Sequence, residues 1–160
     1  MDSFQDVAEV LDYPMFVVTT SSNGRTAGCL VGFATQISID PARFLVGLSV
    51  NNYTHGVAVA ASRLVVHLLD DQSIGLARLF GEQTGDDVDK FAECSWRPGP
   101  DGLPVLEQPP AWFSGTVRQR SEVGDHTAFL VEVDAAEVRR RPTRLLRLSD
   151  VDGFDPGHEA

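Results

Sequence analysis

Gly28-Cys29-Leu30-Val31-Gly32-Phe33-Ala34-Thr35-Gln36-Ile37-Ser38-Ile39-Asp40-Pro41 does not read as an ordinary sheet strand. Its first half is apolar and is broken by Gly28 and Gly32; its second half carries Thr35, Gln36 and Ser38 before stopping at Asp40-Pro41. Glycine inside a strand marks a bulge, or a place where a ligand or another backbone comes close. A flat apolar surface followed by amide and hydroxyl groups suits an amphipathic ligand, of which a flavin mononucleotide is one example. The same pattern also reads as a core strand with a bulge and a polar exit.

The flanking sequence supplies the rest of a β-rich fold. Phe4, Val7, Ala8 and Leu11 recur at helical spacing, so residues 3–11 are expected to form an amphipathic helix that Pro14 ends. Met15 to Thr20 reads as a strand, and Asn23-Gly24 is a hairpin signal. Arg25 to Thr35 returns as the second strand, and Phe44 to Val50 forms a third that leaves at Asn51-Asn52. Thr54 is a candidate N-cap for a short helix reaching Ala61. Leu64 to Leu69 is a strand, and Ser73 is a candidate cap for a helix stacking Leu76 on Phe80. Gly85 to Phe91 reads as an acidic loop or short helix, and Pro98 to Gly102 as a surface turn. Ala111 to Arg120 and Thr127 to Val138 alternate as long strands, Leu145 to Leu148 closes the sheet, and Phe154 is the candidate anchor of a polar tail from 152 to 160. Six or more strands with hairpin turns and a few short peripheral helices predict a mainly β (α+β) domain, a closed or nearly closed antiparallel β-barrel. No repeat or linker divides the chain, so residues 1–160 are expected to be one domain with its core at about 14–148.

Charge narrows the partners. Lys+Arg number 13 against 23 Asp+Glu, a formal charge of −10. That field repels a nucleic-acid backbone. The cluster Arg139-Arg140-Arg141 with Arg144 and Arg147 is too short to reverse it, and reads as a solvated patch or an anion contact. No apolar run has the length of a membrane span, and the acidic start Met1-Asp2-Ser3-Phe4-Gln5-Asp6 lacks signal-peptide character. Cys29 and Cys94 have neither metal-ligand spacing nor a disulfide framework, and His55, His67, His126 and His158 form no zinc motif. A reduced, cytoplasmic setting is the expectation.

Four stretches together resemble the flavin reductase-like family, whose members use an FMN-binding split β-barrel. They are Gly28 through Pro41; Asn51-Asn52-Tyr53-Thr54-His55; Gly85-Asp86-Asp87-Val88-Asp89-Lys90-Phe91 with Gly102-Leu103-Pro104-Val105-Leu106-Glu107 and Ala111-Trp112-Phe113; and Gly124-Asp125-His126. Each alone is short. Their order and spacing across residues 14–148 carry the resemblance.

The resemblance implies that Leu30, Val31, Gly32 and Phe33 line an isoalloxazine ring, with Gln36 reaching the ribityl chain. Relatives often carry Asn at position 32 and a hydroxyl residue at 33, so here more recognition falls to backbone amides. Thr54 and the following amides, with Asn51 and Asn52, are the implied phosphate site; Asn51-Asn52 also reads as a plain turn, and His55 as an exposed helix residue. The basic residue that several relatives carry near Val50 is absent, which leaves room for an arginine from elsewhere or from a second subunit. His126, oriented by Asp125, is implied to sit against the nicotinamide, although Gly124-Asp125 also reads as a turn with a solvated His126. Trp112, Phe113 and Cys29 read as packing residues.

The implied activity is that of an FMN-dependent NAD(P)H:flavin reductase, with FAD possible in place of FMN and NADH or NADPH as co-substrate. A homodimer and an oxygenase partner go with it. Two other classes fit the same residues: a flavoprotein electron carrier or redox sensor, and a split-barrel oxidoreductase using a deazaflavin.

Overall fold

The computed structural model describes residues 1–154. Its elements are α1 (Phe4–Leu11), β1 (Phe16–Ser22), β2 (Arg25–Val31), β3 (Ala34–Ser38), β4 (Arg43–Ser49), α2 (Tyr53–Ala58), β5 (Arg63–Leu68), α3 (Ile74–Glu82), β6 (Trp96–Pro98), β7 (Pro104–Leu106), β8 (Ala111–Glu122), β9 (His126–Val138) and α4 (Leu148–Val151). Seven strands form one antiparallel sheet in the order β2-β1-β5-β8-β9-β4-β3, and β6 pairs with β7 alone.

That order dictates the shape. β2 and β3 are the two edges of the sheet, yet only Gly32 and Phe33 separate them in sequence. Laid flat, seven strands put their outer members about 29 Å apart. Two residues span roughly 7 Å. The sheet therefore curls until its edges meet, and no ladder joins β2 to β3 among the described residues. The result is a barrel split at Gly32–Phe33. Register shifts in the β8–β9 pairing, at Ser114/Gly115 and Val117/Gln119, mark bulges that bend the two longest strands.

The curl also explains the core. Phe16 and Val18 of β1, Cys29 and Val31 of β2, Val46 and Leu48 of β4, Leu64 and Val66 of β5, and Phe129 and Val131 of β9 meet inside the barrel, with Ala58 of α2 against them. Val17 and Met15 pack on the outer side against Ala77 and Phe80 of α3, with Phe91 and Leu106. β1 is buried on both faces, which is why it reads as a continuous run and not as an alternating one. Trp112 joins Val65 and Val105, and Phe113 meets Phe44 at 4.9 Å between ring centroids, so both pack as the sequence suggested.

Local signals fared unevenly. Asn23 (φ 51°) and Gly24 (φ 75°) make the tight β1–β2 turn that Asn-Gly favours. The expected single strand from Arg25 to Thr35 is two strands, because the chain must cross the split. Leu145 and Arg147 make only isolated bridges, to Asp70 and Pro14, and Leu148 opens α4, so no closing strand forms there. α1 is capped by Ser3, whose hydroxyl accepts from Asp6 N–H while Asp6 accepts from Ser3 N–H. Only Ala8 of α1 is buried, and Phe4, Val7 and Leu11 lie exposed. Phe154 packs against the outer cluster and under Arg78; residues 155–160, with His158, lie outside the described part. Four of the five arginines of the cluster are engaged within the fold: Arg139 donates to Leu106, Glu107 and Pro109 carbonyls, Arg140 pairs with buried Asp70, Arg144 with Asp150, and Arg147 reaches Asp12 C=O, while Arg141 is exposed.

His67 is fully buried and ties three strands together. Its Nδ1–H donates to Val17 C=O at 2.9 Å, and its Nε2 accepts Leu106 N–H at 2.9 Å. The neutral ring satisfies both groups. Burial, with a smaller push from Arg139 against the Val17 bond, lowers its pKa to about 4. Because the folded pKa lies below the ordinary value of about 6.5, the unfolded chain binds the proton first. Stability from this group is complete above pH 6.5 and falls as pH drops toward 4, by at most about 3 kcal/mol. Urea midpoints measured from pH 7.5 to 4.5 should fall for the wild type. His67→Leu should be weaker by about 2 kcal/mol at pH 7.5, since it orphans Val17 C=O and Leu106 N–H, and its shallower acid limb should bring the two curves together toward pH 4.5.

Candidate flavin site at the barrel split

A cavity of about 450 Å³ opens at the split. β2 supplies Cys29, Leu30 and Val31, the crossing supplies Gly32 and Phe33, β4 supplies Gly47, Leu48 and Ser49, and β9 supplies His126. Phe4, Gln5 and Ala8 of α1 cover it, with Tyr13, Met15, Asn52 and Leu148 on its walls. The walls are mainly apolar, and Ser49, Asn52 and His126 bring polar atoms to them. No Lys or Arg is among the lining residues.

Glycine at position 47 makes the crossing fit. A Cβ there would lie 3.2 Å from Phe33 Cβ, and Gly47 N–H donates to Phe33 C=O at 2.7 Å. β4 thereby pins the backbone of the β2–β3 connection. Neither Gly47 nor Tyr13 was singled out from the sequence, because each acts through Phe33, to which only the curled sheet brings it.

His126 begins β9 opposite Ser49, held there by a hairpin in which Gly124 has φ 145° and Val50 N–H donates to Asp125 C=O. Its Nδ1 lies 2.7 Å from Asp125 Oδ1, so Asp125 fixes the ring and Nε2 is the nitrogen left to meet a ligand. The ring is also 4.9 Å from that of Phe33. A second, outer cavity of about 390 Å³ lies beside the first and shares Tyr13, Gly32, Phe33, Gly47 and His126 with it.

The structure thus brings Leu30, Val31, Gly32, Phe33, Asn52 and His126 onto one cavity, with Asp125 behind His126. The other residues named from the sequence lie elsewhere. Gln36 is exposed on β3 and donates to Ser38 C=O. Asn51 is exposed beyond β4. Thr54 is not the N-cap: Asn52 is, with an extended backbone and a side chain that accepts Thr54 N–H at 2.8 Å. Thr54 itself is buried, its hydroxyl against the Cys29 thiol. His55 turns to β9, with Nε2 2.8 Å from Thr127 Oγ1, and burial lowers its pKa. Cys29 is buried, and desolvation pushes its thiol up to about 11, so it stays a neutral packing group.

A separate cavity of about 330 Å³ lies along the free edge of β2 from Arg25 to Gly28. Lys90 is buried beside it, with Nζ 3.0 Å from Gly28 C=O and 3.2 Å from Phe80 C=O, and desolvation lowers its pKa. Arg25 stands 5.7 Å over the Tyr53 ring. Asp86, Asp87 and Asp89 share the lining, so two cations face three carboxylates. The sequence passed over both cations because the β2 edge and the acidic loop meet only in the fold.

The donor set fits a flavin ring: two glycine backbones and flat apolar walls, with amide and hydroxyl groups beside them. A split antiparallel barrel with such a slot is also the architecture of known flavoproteins. The FMN-binding protein of Thermus thermophilus superposes with a TM-score of 0.77 at 26% identity, covering 84% of this chain and 80% of that one. Residues 9–150 match the flavin reductase-like domain, and the chain belongs to that family. A probable flavin reductase of Rhizobium meliloti (strain 1021) is 30% identical over 122 residues, 76% of this chain. This chain spans only 38% of that relative's length. The 4-hydroxyphenylacetate 3-monooxygenase reductase component of Escherichia coli is 25% identical over 131 residues, 81% of this chain and 77% of that one. No helix among the described residues is long and apolar enough to cross a membrane.

Proposed function

We propose that this protein is an NAD(P)H-dependent flavin reductase that binds FMN at the barrel split. The observation that carries the reading is the apolar slot floored by Gly32 and Gly47 with His126 at its wall. When bound, the flavin supplies the hydride-accepting ring, and the protein supplies placement. Leu30, Val31 and Met15 exclude water from the ring. His126, held by Asp125, orients the nicotinamide and abstracts no proton. Kinship to a monooxygenase reductase component supports reduced flavin passing to an oxygenase. A homodimer would cover the exposed apolar side chains of α1, among them Phe4, Val7 and Val10.

No Lys or Arg lines the slot to meet the phosphate, and Arg25 and Lys90 line a cavity along the β2 edge that runs up to Gly28, the residue before the slot's Cys29. Arg25→Gln should therefore weaken FMN by about fivefold and riboflavin by less than twofold, a difference of about 1 kcal/mol typical of an exposed charged contact. Equal losses for the two ligands would move the phosphate elsewhere.

The deciding experiment is anaerobic titration of the purified protein with FMN, then NADH or NADPH, followed by flavin absorbance. Stoichiometric uptake and bleaching by nicotinamide support the reductase. Bound FMN that only dithionite bleaches favours an electron carrier. A protein that ignores FMN is to be titrated with a deazaflavin.

A further inference from the structure

The inner slot and the outer cavity adjoin, and Phe33 lines both, as do Tyr13, Gly32, Gly47 and His126. The Phe33 ring meets Tyr13 edge-on, with centroids 5.8 Å apart, and His126 at 4.9 Å with a tilt of 56°. Its backbone is held in place, because Gly47 N–H donates to its carbonyl at 2.7 Å. The side chain is nonetheless 54% exposed, so few contacts besides the two rings restrain it. Beyond it, Ala34, Leu45, Val123 and Ala128 wall the outer cavity, an apolar space of about 390 Å³ with room for a phenyl group.

We propose that Phe33 is a specificity-determining partition: its ring closes the flavin slot to a second planar ring, and a nicotinamide reaches the flavin face only when the phenyl group swings into the outer cavity. The identity of that second ring rests on the reductase reading; the partition itself rests on the two cavities. His126 lines both spaces, so the nicotinamide takes the place beside the imidazole that the phenyl ring vacates. A ligand that binds only the open arrangement has its apparent affinity reduced by the fraction of molecules that are open. With roughly one molecule in ten open, removing the ring tightens binding about tenfold.

The test compares FMN-loaded wild type, Phe33→Ala and Phe33→Tyr, titrated with 1-methylnicotinamide, a planar ring that cannot donate hydride, and followed by flavin absorbance. The FMN dissociation constant of each apoprotein is measured separately by fluorescence. Phe33→Ala should bind the probe about tenfold tighter, with any loss of FMN affinity smaller than tenfold, and Phe33→Tyr should match wild type. Unchanged or weaker probe binding in Phe33→Ala overturns the partition. So does a loss of FMN affinity beyond tenfold, which would make the ring a wall of the flavin site, or a Tyr variant that behaves as Ala does. A wild type that holds FMN but is not bleached by NADH or NADPH defeats the reductase reading alone, since the probe titration involves no hydride transfer. A protein that takes up no FMN overturns both.

Discussion

Gly32→Val should raise the dissociation constant for FMN about a hundredfold, roughly 2.7 kcal/mol, while leaving the fold in place. Position 32 lines both cavities at the split, so a branched side chain there occupies space where the ring meets the backbone. A Cβ at that position would lie 3.2 Å from the Met15 sulfur and meet no backbone atom, and an unbranched, flexible methionine can give way. Gly32 is not among the residues with positive φ, so valine is not strained there. The measurements are FMN fluorescence quenching and a thermal melt on the same preparation. A stable variant with wild-type affinity would place the ring elsewhere.

His126→Ala should lower flavin reduction at subsaturating NADH by ten- to a hundredfold, about 1.4 to 2.8 kcal/mol of transition-state stabilisation. FMN affinity should change little, and reduction by dithionite, which needs no nicotinamide site, should not change at all. Asp125→Asn should show a smaller loss of the same kind, because Asp125 acts only by holding the imidazole through its 2.7 Å bond. Since the Phe33 ring rests on His126, the comparison belongs also in a Phe33→Ala background, where the loss should persist. Release of FMN by His126→Ala would put the imidazole in the flavin wall. No effect would leave Gly124-Asp125-His126 a turn and favour the electron carrier.

Residues whose conformation depends on near neighbours were legible. Asn23-Gly24 made its hairpin, and the glycine-broken run from Gly28 did mark a departure from a plain strand. The Thr54 cap was misplaced by two positions because Asn52 and Thr54 are both good capping types, and only the path of the chain leaving β4 selects between them. The helical spacing of Phe4, Val7 and Leu11 identified α1, but spacing reports a face without saying what it meets; here it stays exposed. Leu145 to Leu148 has the apolar character of a strand and lacks a neighbour that continues the ladder beyond single bridges.

The long strands, the Asn23-Gly24 hairpin and the family were thus legible in the chain itself, since they follow from backbone preferences and from the order of short motifs, whereas the break between β2 and β3 and the missing closing strand were not. The tertiary structure decided what depends on the curl of the sheet. Its edges join through two residues, so Phe33 is thrown against Gly47, Tyr13 and His126, and Lys90 onto the free edge of β2. Which histidine lines the cavity is decided the same way. His55 and His126 both flank the end of β4, yet the first turns to Thr127 and the second to the slot. Contacts of this kind are set by distances between residues far apart in sequence, which no local pattern encodes.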